Sequence, residues 1–489
     1  MVQKNKEIRG GTGRKRHVLL VCILLLALIV ALGVLLILSH KKPIVDIQKA
    51  PIAVNARKSA ETAYILDLCY DEQLHTIHGN ETIEITNTSG EVWNEIYLND
   101  WPSAPAFISA PYGGTTELSE CYITTGGSRY AVVPIRDDEN SCGIYIPLAE
   151  GLQHNDSLRL EWELLIRIPQ GNDRFGFNDS SCNLGSFIPQ LALWRNGGWV
   201  THPYFERAES AVAECADFHL TLTAPKELTV ICTGESATTN GVTVATAKDV
   251  RDFCVILGEG WHMLERMHGD TCIRSYYKGS LVMGLEALNA AADALDAYGF
   301  AIGAYPYATL DIVSTDIWAA GLEYPQLIMM NSQYYAWSFD LIRGYVHDNF
   351  RIKVAHEVAH QWFYGIVGND QYEEAWLDES FATYLEHIYA DSVGIHHATA
   401  YTDIVFPLNS SVDVLGTSYQ DIVYTAGSAF LTDLREIVGD KMFLSMLQEL
   451  YMTYGYSVES TSDVLSTIRK YIPEAKLEKS EKLIAEYFH

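Results

Sequence analysis

The chain is poor in basic residues. Its 489 residues include 34 Lys and Arg against 62 Asp and Glu, which gives a formal charge of −28 at pH 7. Residues 1–16 hold six basic residues and one acidic residue, so the remainder of the chain carries −33. A chain with this excess of negative charge is poorly suited to bind nucleic acids or anionic lipid surfaces. We therefore expect no nucleic-acid partner.

The chain also lacks closely spaced cysteine pairs, internal repeats and low-complexity tracts. None of its nine cysteines forms a Cys-x-x-Cys pair, so a zinc site built from cysteine thiolates is not expected. One cysteine, Cys22, lies in a long apolar segment, and the other eight all precede residue 273. Their spacing leaves two alternatives open, namely disulfides within one domain or buried free thiols.

An uncharged apolar segment of 22 residues occupies positions 18–39. As a helix it would be ~33 Å long, which is enough to cross a bilayer. The basic residues are concentrated before this segment, which favours an N-terminus in the cytoplasm. We therefore predict a cytoplasmic tail at 1–17, a transmembrane helix at 18–39, a stalk at 40–60, and a catalytic domain outside the cell. The alternative is a cleaved signal peptide, but its apolar core is normally shorter, ~7 to 15 residues.

Two regions with different patterns follow the predicted stalk. Up to about residue 268, short runs alternate between polar and apolar residues and are separated by turn residues, a pattern typical of β-strands. A long amphipathic helical pattern then starts near residue 280, followed by two short strand patterns and further helices. The sequence predicts a multidomain α+β protein, with an N-terminal β-sandwich or saddle domain at 61–268 and a mainly helical domain at 269–489.

Residues 353–387 contain histidines and acids at helical spacing, in a pattern that predicts helix, loop and helix. His356 and His360 are four residues apart, so both imidazoles project from one helix face. Two imidazoles and one carboxylate form a zinc site that leaves one position open for water. We predict that Glu379, on the second helix, is the third ligand and that Glu357 is the general base. The alternative is an ordinary amphipathic helix with partly exposed histidines.

Several motifs resemble those of the M1-type zinc aminopeptidases, which are gluzincins with a thermolysin-like catalytic domain behind an N-terminal β-domain. HEVAH and WLDES are similar to the family's two-histidine helix and zinc glutamate, and the resemblance extends in order over residues 60–450. AGLEYP is similar to its exopeptidase loop, and YTAG to the setting of its oxyanion tyrosine. The resemblance implies one zinc ion per chain, a substrate amino terminus bound by Glu323 with Gly321 and Leu322 in the same loop, and an oxyanion bonded by Tyr424.

The chain also departs from the family pattern. Leu322 replaces the usual methionine, Tyr324 the usual asparagine, and Ser380 a common glycine after the zinc glutamate. The loop GFNDSSCNLGSF has no glutamine, which family members often use as a second contact to the substrate amine. The overall resemblance is to a short, membrane-anchored form without the large C-terminal helical domain.

We therefore expect a membrane-anchored zinc aminopeptidase that removes N-terminal residues from peptides outside the cell. Two alternatives stay open, a zinc endopeptidase or dipeptidase on the same scaffold and a catalytically silent, receptor-like ectodomain. Four polar residues near the motifs are given ordinary structural interpretations: Asp378 is expected to be a helix N-cap, and His347, His396 and His397 are expected to lie on the surface.

Overall fold

The computed structural model describes residues 58–488, except 138–139, 141, 207, 209–211 and 337–342. The predicted cytoplasmic tail, the predicted transmembrane helix and nearly all of the predicted stalk lie outside the described residues. Of the helices that are described, none is both long and apolar enough to cross a lipid bilayer.

The regular secondary structure of the first half of the described chain consists almost entirely of strands. They are β1 (Ala60–Asp71), β2 (Thr76–Asn87), β3 (Trp93–Asn99), β4 (Thr115–Thr125), β5 (Ser128–Ala131), β6 (Ile135–Arg136), β7 (Gly143–Leu152), β8 (Ser157–Arg167), β9 (Phe175–Phe177), β10 (Ser181–Leu184), β11 (Gln190–Leu191), β12 (Trp194–Arg195), β13 (Gly198–Trp199), β14 (Ala216–Thr223), β15 (Thr229–Cys232), β16 (Glu235–Thr239), β17 (Val242–Val250) and β18 (Val255–Gly258). One short helix, α1 (Pro105–Ser109), interrupts them.

The strands build one large and several small sheets. The eight-stranded sheet has the order β16-β17-β14-β1-β2-β8-β4-β5, and two four-stranded sheets have the orders β15-β18-β10-β9 and β11-β3-β7-β6. In β8 every second side chain, from Leu158 to Ile166, is buried, as expected for a strand with one face on a core. The Trp162 indole on that face donates a hydrogen bond to the buried carboxylate of Glu81 over 2.8 Å. The predicted sheet-rich N-terminal domain is confirmed.

The second half combines a five-stranded sheet with helices. The strands are β19 (His262–His268), β20 (Thr271–Tyr277), β21 (Thr309–Thr315), β22 (Gly321–Tyr324) and β23 (Leu327–Asn331), in the sheet order β19-β20-β21-β23-β22. The helices are α2 (Leu281–Ala301), α3 (Arg343–Ala359), α4 (Trp376–Val393), α5 (Val412–Leu415), α6 (Gly427–Val438), α7 (Asp440–Tyr454), α8 (Thr461–Tyr471) and α9 (Leu477–Tyr487). The predicted α+β class is confirmed.

This sheet positions the site through its central and edge strands. β21 is buried at every position and pairs in parallel with β20 and β23, as is typical of a strand covered on both faces. β22 pairs antiparallel with β23 at the edge. The hairpin of β19 and β20 belongs to this five-stranded sheet, whereas β18, which ends at Gly258, belongs to a sheet of the first half. The chain therefore passes from the first half to the second between Gly258 and His262. The predicted domain boundary, between residues 268 and 269, lies slightly later, in the turn of this hairpin.

All eight cysteines of the described chain are free thiols, and six of them are buried. Burial raises the pKa of the Cys182 thiol to about 12, so this side chain stays protonated at neutral pH. Of the two alternatives that the sequence leaves open, the described residues show buried free thiols.

Candidate metal centre

Two helices and the loop between them carry the candidate metal ligands. His356 and Glu357 lie in the last turn of α3, His360 follows its end, and Glu379 lies in the first turn of α4. Phe363 in the loop stacks on Phe381 of α4 with ring centroids 4.3 Å apart. The predicted helix, loop and helix is confirmed, and its apolar side chains hold the two ligand-bearing helix ends together.

The three predicted ligand atoms form a nearly equilateral triangle. His356 Nε2 lies 3.2 Å from Glu379 Oε2 and 3.2 Å from His360 Nε2, and His360 Nε2 lies 3.3 Å from Glu379 Oε2. Ligands placed ~2.0 to 2.1 Å from a tetrahedral zinc ion are separated from one another by about 3.3 to 3.4 Å. The spacing of this buried donor set therefore fits one zinc ion.

The outer nitrogens of both imidazoles face acceptors. His356 Nδ1 lies 2.9 Å from Glu386 Oε1, and His360 Nδ1 lies 3.2 Å from the backbone oxygen of Phe363. A carbonyl oxygen only accepts, so the His360 contact favours the tautomer with its proton on Nδ1, whereas His356 Nδ1 lies beside the Glu386 carboxylate without a hydrogen bond to it. The two Nε2 atoms and the carboxylate oxygen would offer three donor atoms to one bound cation.

Glu379 and Glu357 differ in the direction of their pKa shifts. Burial alone would raise the pKa of Glu379, but the adjacent His360 and His356 outweigh it and lower this pKa below its usual range. Burial raises the pKa of Glu357 to about 6, although both histidines oppose the shift. The environment of Glu379 therefore favours an ionised carboxylate that can act as a ligand. The environment of Glu357 favours a carboxylate that exchanges protons near neutral pH.

Strand β22 runs directly against Glu357. A Cβ atom at Gly321 would lie 2.3 Å from Glu357 Oε1, so the strand can approach this closely only because residue 321 is glycine. Glu323 lies on the same strand, and one oxygen of its carboxylate, one oxygen of Glu357 and one ring nitrogen of His360 lie within 4.8 Å of one another. The structure thus places Gly321 and Glu323 at the site.

The side chain of Leu322 is not at the site. Successive residues of a strand point to opposite faces, so Leu322 faces away from Gly321 and Glu323. It is 3% exposed and belongs to a hydrophobic cluster with Met329 and Val313. The Leu322 side chain thus packs the core behind β22, and the prediction that Leu322 binds substrate with Gly321 and Glu323 stays a prediction.

Tyr424 reaches the metal centre from a π-helix, Gln420–Ala426. Its hydroxyl donates a hydrogen bond to Glu379 Oε1 over 2.5 Å, and its ring stacks on that of His356 with centroids 6.0 Å apart. Burial, with the charge of Glu379, raises the pKa of Tyr424 well above its usual range, so the phenol keeps its proton. Short π-helical turns are frequent at functional sites. Tyr419 packs against Tyr424, with the centroids of the two rings 5.8 Å apart.

Glu386 lies beside the site and was not predicted from the sequence, and it contacts His397, which was predicted to lie on the surface. Glu386 is buried on α4, and its carboxylate contacts Lys353 Nζ at 3.2 Å, His397 Nε2 at 3.0 Å and His356 Nδ1 at 2.9 Å. Its spacing could have revealed it, because Glu386 follows Glu379 by two helical turns on the same face. His397 is 25% exposed and contacts Glu386, whereas His396 is exposed as predicted.

The two remaining structural interpretations also need correction. Asp378 is not a helix N-cap, because α4 already begins at Trp376 and Asp378 lies inside its first turn. Its buried carboxylate accepts a hydrogen bond from Gln371 Nε2 over 2.7 Å. His347 is partly buried, with its Nδ1 3.5 Å from Glu286 Oε1.

Residues 286–406 match the family model described as "Peptidase family M1 domain". The matched segment contains β22, both histidines and Glu379, whereas Tyr424 lies beyond it. The match supports a metallopeptidase.

Curated proteins that are similar to this chain carry the name aminopeptidase. The chain is 26% identical to Aminopeptidase M1-C of Oryza sativa subsp. japonica over 225 residues, which cover 40% of this chain and 23% of that protein. It is 26% identical to Aminopeptidase N of Lactococcus lactis subsp. cremoris (strain MG1363) over 155 residues, which cover 28% and 17%. It is 30% identical to Aminopeptidase N of Oryctolagus cuniculus over 124 residues, which cover 21% and 13%. The chain spans less than a quarter of the length of each of these three relatives.

A solved structure matches nearly the whole chain. A mutant of the M1 zinc metallopeptidase from Deinococcus radiodurans superposes with a TM-score of 0.62 at 18% identity, and the match covers 89% of this chain and 95% of that one. At this identity the likeness shows the fold alone. The sheet-rich domain followed by a helical one is therefore a fold that the chain shares with that metallopeptidase.

Proposed function

We propose that this chain is a zinc aminopeptidase that binds one zinc ion per chain through His356, His360 and Glu379. The observation that carries the proposal is the triangle of three buried donor atoms, 3.2 to 3.3 Å apart, with two further carboxylates beside it. A zinc ion bound there supplies Lewis acidity, which activates a water and polarises the scissile carbonyl. The names of the aminopeptidase relatives support the substrate class, peptides with a free amino terminus.

The chain's own residues then supply the proton transfers and the stabilisation of charge. Glu357 lies next to the donor triangle and in the proposal accepts the proton of the attacking water and later passes it to the leaving amine. Tyr424 donates a hydrogen bond from its phenol to the oxyanion that develops on the carbonyl oxygen. The hydrogen bond from Tyr424 to Glu379 already directs that proton towards the site.

Glu323 is the residue that would make the proposed enzyme an exopeptidase. A carboxylate within 4.8 Å of the Glu357 and His360 donor atoms suits the ammonium group of a substrate that occupies the same cleft. Such a charge-assisted hydrogen bond fixes the register, so that only one residue precedes the scissile bond. An endopeptidase or dipeptidase on the same scaffold is the second candidate, favoured by the absence of a glutamine from residues 176–187.

Glu323→Ala is expected to reduce kcat/KM for free aminoacyl anilides by ~10- to 1,000-fold while zinc content stays at the wild-type level. Hydrogen bonds to charged groups contribute about 1.5 to 3 kcal/mol, and more when their loss strands a buried charge. Steady-state kinetics on free and N-acetylated anilides check this, with Glu265→Ala, an exposed acid on the same sheet, as the control. Equal cleavage of both substrates by the wild-type protein would favour the endopeptidase candidate.

We further propose that the domain is anchored outside the cell by residues 18–39. The support comes from the sequence, where the 22-residue uncharged segment follows the basic cluster. Protease added to intact cells is expected to digest the folded domain and to leave residues 1–16 protected. Mass spectrometry of the recovered peptides checks both outcomes. A mature N-terminus near residue 40 would show a cleaved signal peptide instead.

A further inference from the structure

Two neighbouring residues of α4 are bonded to two neighbouring residues of the π-helix. Glu379 Oε1 accepts the hydrogen bond of Tyr424 Oη over 2.5 Å. The next residue, Ser380, is fully buried, and its hydroxyl donates a hydrogen bond to the backbone oxygen of Val423 over 2.6 Å. The ligand-bearing helix and the segment that carries the phenol are therefore joined by two adjacent bonds, and the second is made by a residue without an assigned role.

The Ser380 bond lies where the π-helix changes into α6. The amide of Gly427, the first residue of α6, approaches the carbonyls of both Ile422 and Tyr424, so the backbone hydrogen-bond pattern is mixed at this junction. The carbonyl of Val423 lies between those two, and Ser380 supplies it with a donor from outside the helix. Helical turns that depart from the α pattern need such external partners to satisfy their backbone groups.

Gly427 and Ser380 fit each other closely. A Cβ atom at Gly427 would lie 1.8 Å from Ser380 Oγ, so the serine hydroxyl occupies the space that a side chain at 427 would need. A glycine at position 380, which the family resemblance would lead one to expect, has no hydroxyl and could not make the bond to Val423. The contact is thus specific to a chain with serine at 380 and glycine at 427.

We propose that Ser380 is a positioning residue that fixes the π-helix and thereby sets the Tyr424 phenol against the metal centre. The inference rests on the proposed function, because it assigns Ser380 an effect that acts through the oxyanion donor. The effect should appear in kcat, since an oxyanion donor acts in the transition state and contributes little to ground-state binding. Misplacement of a catalytic group by about 1 Å can reduce the rate about 100-fold.

Ser380→Ala and Ser380→Gly are expected to lower kcat by ~10- to 100-fold, with KM within about 3-fold and zinc content unchanged. In a Tyr424→Phe background, where the phenol proton is already absent, adding Ser380→Ala should change kcat by less than about 2-fold, because the two residues act as one unit. Ser428→Ala is the matched control: this serine is also buried beside the π-helix, its hydroxyl bonds no described group, and its removal should leave kcat unchanged.

A second measurement does not depend on activity. In zinc-free protein, amide hydrogen exchange of a peptide covering residues 420–427 should be faster in Ser380→Ala than in wild type and unchanged in Ser428→Ala. An equal loss of kcat in the wild-type and Tyr424→Phe backgrounds, or unchanged exchange in 420–427, would overturn the proposal. If wild-type protein hydrolyses no peptide at all, the proposed function fails, and faster exchange would still establish that Ser380 holds the π-helix.

Discussion

Glu357→Gln is expected to retain fold and zinc and to lose at least ~100- to 10,000-fold in kcat. The glutamine amide keeps the shape of the side chain, so the close contact between β22 and residue 357 is preserved. It cannot accept a proton, however, and the same carboxylate is proposed to serve both the attacking water and the leaving amine. Within the part of the chain that the structure describes, the two other carboxylates of the donor groups have other proposed roles, Glu379 in the donor triangle and Glu323 at the substrate amine.

Single-turnover kinetics on a free aminoacyl anilide, with zinc measured on the same samples, check this result. Glu436→Gln, an exposed glutamate on α6, makes the same chemical change away from the site and should leave kcat unaltered. Activity within 10-fold of wild type at full zinc occupancy would mean that another group accepts the proton. A low zinc content would instead make Glu357 a ligand, as a member of the donor group with Glu323 and His360.

The fold could be predicted wherever the periodicity of a segment decided its structure. The alternation in β8 reflects a single buried face, so local pattern and final burial agree there. The helical spacing also predicted α4, although the first seven residues of this helix are buried on all sides. The position of the domain boundary was harder to predict from the sequence. β19 alternates much like the strands before it, and only its pairing with β20, a tertiary contact, assigns it to the second sheet.

The site shows the same division between local and tertiary information. His356, His360 and Glu379 could be found because a two-histidine helical turn and a glutamate on the next helix follow from spacing alone. Glu386, on α4, contacts two groups of α3 and one of the segment after α4, so no single window of sequence contains the cluster. The orientation of Leu322 depended on β22 forming an edge strand, which four residues cannot specify by themselves.

His360→Ala is expected to leave less than about a tenth of a zinc ion per chain after dialysis and to abolish peptidase activity. His360 is the one residue common to both donor groups among the described residues, His356 with His360 and Glu379, and Glu323 with Glu357 and His360. Loss of one of three protein ligands leaves two, and no neighbouring group can replace an imidazole at ~2.0 to 2.1 Å from the ion. Metal analysis by mass spectrometry and thermal melting with and without zinc provide the measurement, with exposed His396→Ala as the control.

Two further variants, each of a residue that belongs to only one of the two donor groups, decide which group binds the ion. His356→Ala should lose zinc as His360→Ala does, because its Nε2 is a corner of the 3.2 to 3.3 Å triangle. Glu323→Ala should keep zinc, since its carboxylate is assigned to the substrate amine. The reverse pattern, with zinc kept in His356→Ala and lost in Glu323→Ala, would contradict both assignments at once. Added zinc should raise the melting temperature of wild type and Glu323→Ala but not of His360→Ala, because an ion stabilises only a folded state that binds it.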